Sequence, residues 1–299
     1  MKSTLLNGII CAMVTPFDDQ QKINLEATKN LIEQLLQNKI NGIFILGTNG
    51  EFHVMSNEEK LSFADFVVQT VKHKVPVFVG TGSNSTQETI ELSQKMEKIG
   101  VDALSIITPF LVPITQNELV EHYKRIAASV SIPVILYNIP KNTGISIAVE
   151  SVTKLAQVKN IIGIKDSSGN IDNIINYIQV TKEYDFSVLS GSDSLILKAL
   201  KAGATGAIAS TSNLLSKIDV GIYNDFCIGN MEEAEKKQQS IEQLRAVLKL
   251  GTVPSVIKRA VSLAGINVGP ARYPVADISE NIDKEIVKML DSYGIKHVG

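Results

Sequence analysis

The run Ile161-Ile162-Gly163-Ile164-Lys165, followed at once by Asp166-Ser167-Ser168-Gly169, decides how the rest of the chain reads. Its apolar residues suit a strand buried on both faces, and polar turn formers close it. A lysine that ends such a run is either exposed there or has a chemical task. One run earlier, Pro133-Val134-Ile135-Leu136-Tyr137 ends in a tyrosine and turns through Asn138-Ile139-Pro140. As neighbouring parallel strands, the two would project amine and phenol from the same end, about 5 Å apart. An amine nucleophile beside a phenol that passes protons is the equipment of Schiff-base chemistry.

Working outward, eight such runs recur, over residues 8–14, 42–46, 76–80, 103–108, 133–137, 161–165, 186–190 and 206–210. They are nearly continuously apolar, as parallel strands covered on both faces are, and their spacing suits one βα unit each. Helical segments lie between them. Ser56-Asn57-Glu58-Glu59, Thr86-Gln87-Glu88-Thr89 and Thr115-Gln116-Asn117-Glu118 fit helix starts, while Gly100, Asn160 and Gly203 fit stops. This alternation predicts a closed (β/α)8 TIM barrel over 1–215. Helical periodicity at 232–249, 253–264 and 279–293 predicts a C-terminal helical extension over 216–299. No flexible linker separates the two, so they are read as one structural unit.

The bulk properties narrow the class. The 299 residues carry a formal net charge of −2, with 44% hydrophobic and 20% charged residues and no basic cluster, which argues against nucleic acid or an anionic membrane as partner. Cys11 and Cys227 are far apart in no metal-binding pattern and read as small buried apolar residues. Lys2 and the apolar residues up to Val14 read as a first strand rather than a signal peptide. No apolar run approaches the roughly 20 residues of a membrane helix, and the expected location is cytoplasmic.

In a barrel of this kind the site lies at the C-terminal strand ends. Those ends carry Gly47-Thr48-Asn49-Gly50-Glu51, Gly80-Thr81-Gly82-Ser83, Tyr137-Asn138, Lys165-Asp166 and Ser190-Gly191-Ser192-Asp193. Hydroxyls and exposed backbone N–H groups on one rim suit a small carboxylate. Each residue taken singly also has an ordinary reading: a solvated lysine, a core tyrosine with a wet hydroxyl, turn-forming Thr48 and Asn49. Their joint placement favours chemistry. Gly80-Thr81-Gly82 lacks the rest of a dinucleotide fingerprint, and the four histidines show no metal-ligand spacing. Acidic residues do not cluster on the rim, which disfavours a magnesium-dependent aldolase.

Gly47-Thr48-Asn49-Gly50-Glu51, Tyr137-Asn138-Ile139-Pro140, Thr143-Gly144, Gly163-Ile164-Lys165-Asp166 and Leu189-Ser190-Gly191 together resemble, in order and spacing, the dihydrodipicolinate synthase/N-acetylneuraminate lyase superfamily. The resemblance spans essentially the whole chain. It implies a metal-independent class I lyase, without cofactor, that holds pyruvate as a Schiff base. Lys165 would be the imine-forming lysine, Tyr137 the proton donor and acceptor, and Thr48 both a carboxylate ligand and part of the proton relay. Asn49 would share the carboxylate loop, Gly191 and Ile208 would offer backbone contacts, and Asn142 would face the second substrate. A homodimer or homotetramer is implied as well.

Two departures from the family pattern bear on the substrate. Asn142 stands where the synthases carry an arginine for the aldehyde's carboxylate, and Pro109-Phe110-Leu111-Val112 lacks their relay tyrosine. Asn49-Gly50-Glu51-Phe52 with Asn142-Thr143-Gly144 is more similar to 4-hydroxy-2-oxoglutarate and 2-keto-3-deoxy sugar-acid aldolases, although those commonly keep the tyrosine too. This implies, as the leading expectation, retro-aldol cleavage of a 4-hydroxy-2-oxo acid or 2-keto-3-deoxy sugar acid to pyruvate and an aldehyde. The alternatives are a 4-hydroxy-tetrahydrodipicolinate synthase, joining pyruvate to aspartate semialdehyde, and a pyruvate-binding barrel without turnover, for which Leu111 is the support.

Overall fold

In the computed structural model, which describes residues 4–297, the eight runs become strands β1 (Gly8–Ala12), β2 (Gly42–Ile45), β3 (Val77–Gly80), β4 (Ala103–Ile107), β5 (Val134–Asn138), β6 (Ile161–Asp166), β7 (Ser187–Ser190) and β8 (Gly206–Ala209). All pairings are parallel and β8 returns to β1, so the barrel closes in sequence order. Most strands are shorter than their apolar runs. Met13 and Leu46 are buried, yet Met13 N–H divides its bonding between Phe44 O of β2 and Cys11 O of its own strand, and Leu46 takes a φ of 55°, so the regular ladder ends there. Burial extends beyond the ladder here, so hydrophobicity alone overshoots the strand end.

Burial on both faces explains the continuous apolar runs. Ile10, Ala12, Phe44, Phe78, Ala103, Ile135, Leu189 and Ile208 fill the barrel interior. Their neighbours Ile9, Cys11, Ile43, Ile45, Leu104, Leu136, Ile164 and Val188 face the surrounding helices. A helix follows each strand, from Leu25–Gln37 after β1 to Ser212–Cys227 after β8. Ser56 and Thr115 close reciprocal capping boxes with Glu59 and Glu118, as expected, and Gly100 and Gly203 stop their helices in the left-handed region. The cap of the third helix is Ser85, one residue before the expected start. Asn160 caps nothing: the preceding helix, Val149–Leu155, ends earlier, and the Asn160 amide bridges to Ala127 O and Val130 O.

Helix Ser212–Cys227 crosses the 215/216 division and is non-helical at Leu215 (φ −110°, ψ 32°). The expected helix over 232–249 is two, Met231–Ser240 and Glu242–Leu248, with the break at Ile241. Ser255–Leu263 and Glu280–Ser292 complete the C-terminal region; residues 1–3 and 298–299, at the two ends of the expected spans, lie outside the described residues. Cys11 is buried as expected, but Cys227 is exposed because it ends its helix on the solvent side. Among the described residues no helix is long and apolar enough to cross a membrane.

Candidate active site

Lys165 reaches the barrel interior because β6 carries an extra residue. Val134 pairs with Ile161 and Ile135 with Gly163, leaving Ile162 without a partner on β5. Ile161 faces the helices and Ile162 packs toward the interior, yet Ile164 again faces the helices. Strict alternation from Ile161 would have sent Lys165 outward. The bulge shifts the phase, as bulges beside functional sites do.

Lys165 is thereby only 4% exposed. Its Nζ lies 4.1 Å from the centroid of the Tyr137 ring and 4.9 Å from that of Phe44. Those two rings meet edge to face at 6.3 Å. Among the described residues Nζ has neither a hydrogen bond nor an ion pair. Buried charges are ordinarily paired, whereas an amine must be neutral to attack a carbonyl carbon. Tyr137, 3% exposed, is the direct register partner of Lys165, so the two expected neighbours are neighbours. The Tyr137 hydroxyl lies 3.4 Å from Thr48 Oγ1, at the long end of hydrogen bonding.

Gly191 is required by close approach. A Cβ there would stand 2.0 Å from Ser167 Oγ and 2.9 Å from Lys165 Cε, so only glycine lets the lysine run past the end of β7. The small cavity at the amine is walled by Lys165, Tyr137, Phe44, Thr48, Asn49 and Gly50, among others. Gly191 and Ile208 are not among its walls: Gly191 N–H bonds Asp166 O, and the Ile208 side chain packs in the barrel interior. Asn142 lines a separate, outer cavity of about 330 Å³ with Thr48, Phe52, His53, Ile107, Phe110 and Thr143. Thr48 belongs to both cavities and marks the way in.

Among the described residues, no arginine or lysine lines the outer cavity. Burial also holds His53 below the usual histidine range, against an opposing pull from Glu51. Leu111, where a relay tyrosine was absent from the sequence, is 86% exposed on a left-handed residue and extends the relay nowhere. Sequence reasoning missed Phe44, whose signal was its inward position on β2. It placed Asp193 on the rim but gave it no role; this buried carboxylate accepts Ser210 N–H at 3.0 Å and so ties the end of β7 to the end of β8. A larger cavity, about 470 Å³, lies near Arg259 and Asp283 by the C-terminal loop and contains none of these residues.

Comparison with known proteins agrees with this geometry. The model of the dihydrodipicolinate synthetase family matches residues 5–293. The chain belongs to this family. A 4-hydroxy-tetrahydrodipicolinate synthase 1 of Halalkalibacterium halodurans is 36% identical over 94% of the chain and 95% of its own length. A 4-hydroxy-tetrahydrodipicolinate synthase of Archaeoglobus fulgidus is 37% identical over 96% and 98%. The crystal structure of a dihydrodipicolinate synthase from Bacillus anthracis superposes with a TM-score of 0.94 at 32% identity, covering 98% of this chain and 99% of that one. As a member of the dihydrodipicolinate synthetase family the chain is a metal-independent class I enzyme of pyruvate.

The same comparisons overturn the expected retro-aldol cleavage of hydroxy-oxo or deoxy sugar acids. Relatives matching nearly the whole chain are named synthases. That expectation rested on Asn49-Gly50-Glu51-Phe52 read together with Asn142-Thr143-Gly144. Of these residues Asn142 and Thr143 line the outer cavity, while Asn49 and Gly50 line the small cavity at the amine.

Proposed function

We propose that the chain condenses pyruvate with aspartate semialdehyde, the synthase reaction, through an imine on Lys165. The observation that carries this reading is the buried Lys165 amine, unpaired among the described residues, 4.1 Å over the ring of Tyr137. The relatives are named 4-hydroxy-tetrahydrodipicolinate synthases, which supports the synthase reaction over cleavage.

The neutral amine attacks the keto carbon of pyruvate, water leaves, and the protonated imine acts as an electron sink. Tyr137 and its relay take up a methyl proton to give the enamine, whose carbon bonds to the aldehyde carbon. Tyr137 returns a proton to the resulting alkoxide, and Thr48, 3.4 Å away, passes protons onward. Attack on the imine carbon by water or by the semialdehyde's own amine then frees Lys165. Thr48 and Asn49, on the wall of the small cavity at the amine, hold the pyruvate carboxylate, with Gly191 and Ile208 offering backbone contacts. No tyrosine extends the relay, so water in the outer cavity completes it. Asn142 takes the semialdehyde carboxylate by hydrogen bonding, in place of a cation. A homodimer or homotetramer accompanies this reading.

Incubation with pyruvate and borohydride, followed by mass spectrometry, tests the imine. An adduct confined to Lys165 and lost in Lys165→Ala is expected, with semialdehyde-dependent pyruvate consumption in the wild type. Folded wild-type protein without an adduct would overturn the catalytic reading in favour of an inert barrel.

A further inference from the structure

The turn that carries Thr48 and Asn49 is held from outside the barrel. Glu51, its last residue, takes a φ of 58°, a left-handed conformation that side chains with a Cβ avoid. Within the turn, Glu51 N–H reaches Thr48 O at 3.2 Å. The remaining restraints are distant in sequence. The Glu51 carboxylate is 1% exposed, and both of its oxygens are taken: Lys258 Nζ donates to Oε1 at 2.9 Å and the backbone N–H of Arg272 to Oε2 at 2.7 Å.

Lys258 is fully buried on helix Ser255–Leu263 and donates also to Thr15 O at 2.9 Å. Thr15 Oγ1 in turn donates to Gly50 O at 2.7 Å. One ammonium thus ties the end of the turn, at Gly50 and Glu51, to the segment after β1 that carries Thr15. It lies 4.4 Å from the Phe17 ring centroid, with the Arg272 guanidinium 4.2 Å from the same ring. Leu248, Thr252, Val253, Pro254, Val256 and Ile257 roof Asn49 and Ser210 across a small gap.

A buried ion pair is a poor device for net stability, since desolvation offsets much of its attraction, but it fixes relative position well. Burial pushes Lys258 down to about 8, against the pull of Glu51. We infer that Glu51 and Lys258 are positioning residues: through them the C-terminal helices set the Thr48–Asn49 turn, and with it the affinity for pyruvate. This rests on the reading above, in which that turn holds the pyruvate carboxylate.

The test measures the pyruvate concentration that half-saturates borohydride trapping on Lys165, together with kcat at saturating pyruvate. It compares full-length wild type, Glu51→Gln, Lys258→Met, the double variant and Arg259→Ala, at a temperature where circular dichroism shows each folded. Arg259 sits on the same helix but pairs with Asp283, away from the turn. Half-saturation is expected to rise about tenfold in each single variant of the pair, with the double variant no worse than the poorer single one. Arg259→Ala should stay within about twofold of wild type. Where Lys258→Met fails to fold, Thr15→Val reads the same turn through the lost bond to Gly50 and should also raise half-saturation.

Folded variants that lose thermal stability yet keep the wild-type half-saturation would overturn the inference and leave a structural pair. A wild type that traps no pyruvate would instead overturn the reading beneath it, and the positioning role with it.

Discussion

Asn138 donates through Nδ2 to Asp166 Oδ1 at 2.6 Å, one residue beyond the Tyr137–Lys165 pair on the same two strands. Side chains alternate, so while Tyr137 and Lys165 face the interior, Asn138 and Asp166 face the helix layer, fully buried. Asp166 also accepts from Ser168 Oγ at 2.6 Å, and Asn138 Oδ1 accepts Ile147 N–H at 3.0 Å. Burial raises the Asp166 carboxyl, while Ser168 and Asn138 pull it back. This network lies behind Tyr137 and Lys165 and holds the register that brings phenol and amine together.

Asn138→Ala should therefore act on turnover more than on the imine. It leaves Asp166 with one donor fewer, which costs about 1–3 kcal/mol of stability. A shift of the phenol by a fraction of an ångström should lower kcat by about 10²-fold, with the borohydride adduct on Lys165 retained. Steady-state kinetics beside adduct mass spectrometry check this; an unchanged kcat in folded protein would remove the network from the mechanism.

Gly191→Ala should impair imine formation itself. Ser167 is able to turn away from the new methyl group, but Lys165 Cε, 2.9 Å distant, has to move. Trapping with saturating pyruvate should slow by about tenfold or more, and adding Ser167→Ala should not restore it. Recovery in the double variant would place the clash at Ser167 instead.

The outer cavity has walls of Phe52, Phe110 and Asn142 and, among the described residues, no arginine or lysine. Asn142→Arg would supply one, and bidentate pairing of guanidinium with carboxylate is the stronger contact. The half-saturating semialdehyde concentration should fall about tenfold, with that for pyruvate unchanged. Parallel titrations of the two substrates separate these effects.

Asp219 sets a pH dependence of stability. Burial, and then Asp193, raise its carboxyl from 3.8 to about 7, against hydrogen bonds from Ser212 and Thr211. Between those values the folded chain keeps a proton that the unfolded chain has released. Its contribution is complete below about pH 4 and is lost as pH rises through about 7, on the order of a few kcal/mol. Denaturant midpoints of wild type and Asp219→Asn, compared at pH 4.5 and 7.5, should show the wild type losing ground at the higher pH.

By itself, the sequence determined the barrel, its strand order and the shared strand end of Tyr137 and Lys165. These are local signals: apolar runs buried on two faces, capping residues such as Ser56 and Thr115, and turn formers directly after each run. Tertiary structure decided what local periodicity cannot carry. The bulge at Ile162 turns Lys165 inward, because strand pairing leaves one residue over. Glu51 and Lys258 meet across 207 positions because the C-terminal helices fold back over the turn after β2. The retro-aldol reading drawn from Asn49 to Phe52 and Asn142 to Gly144 failed because short motifs do not give the shape of a cavity whose walls come from three separate strand-end loops.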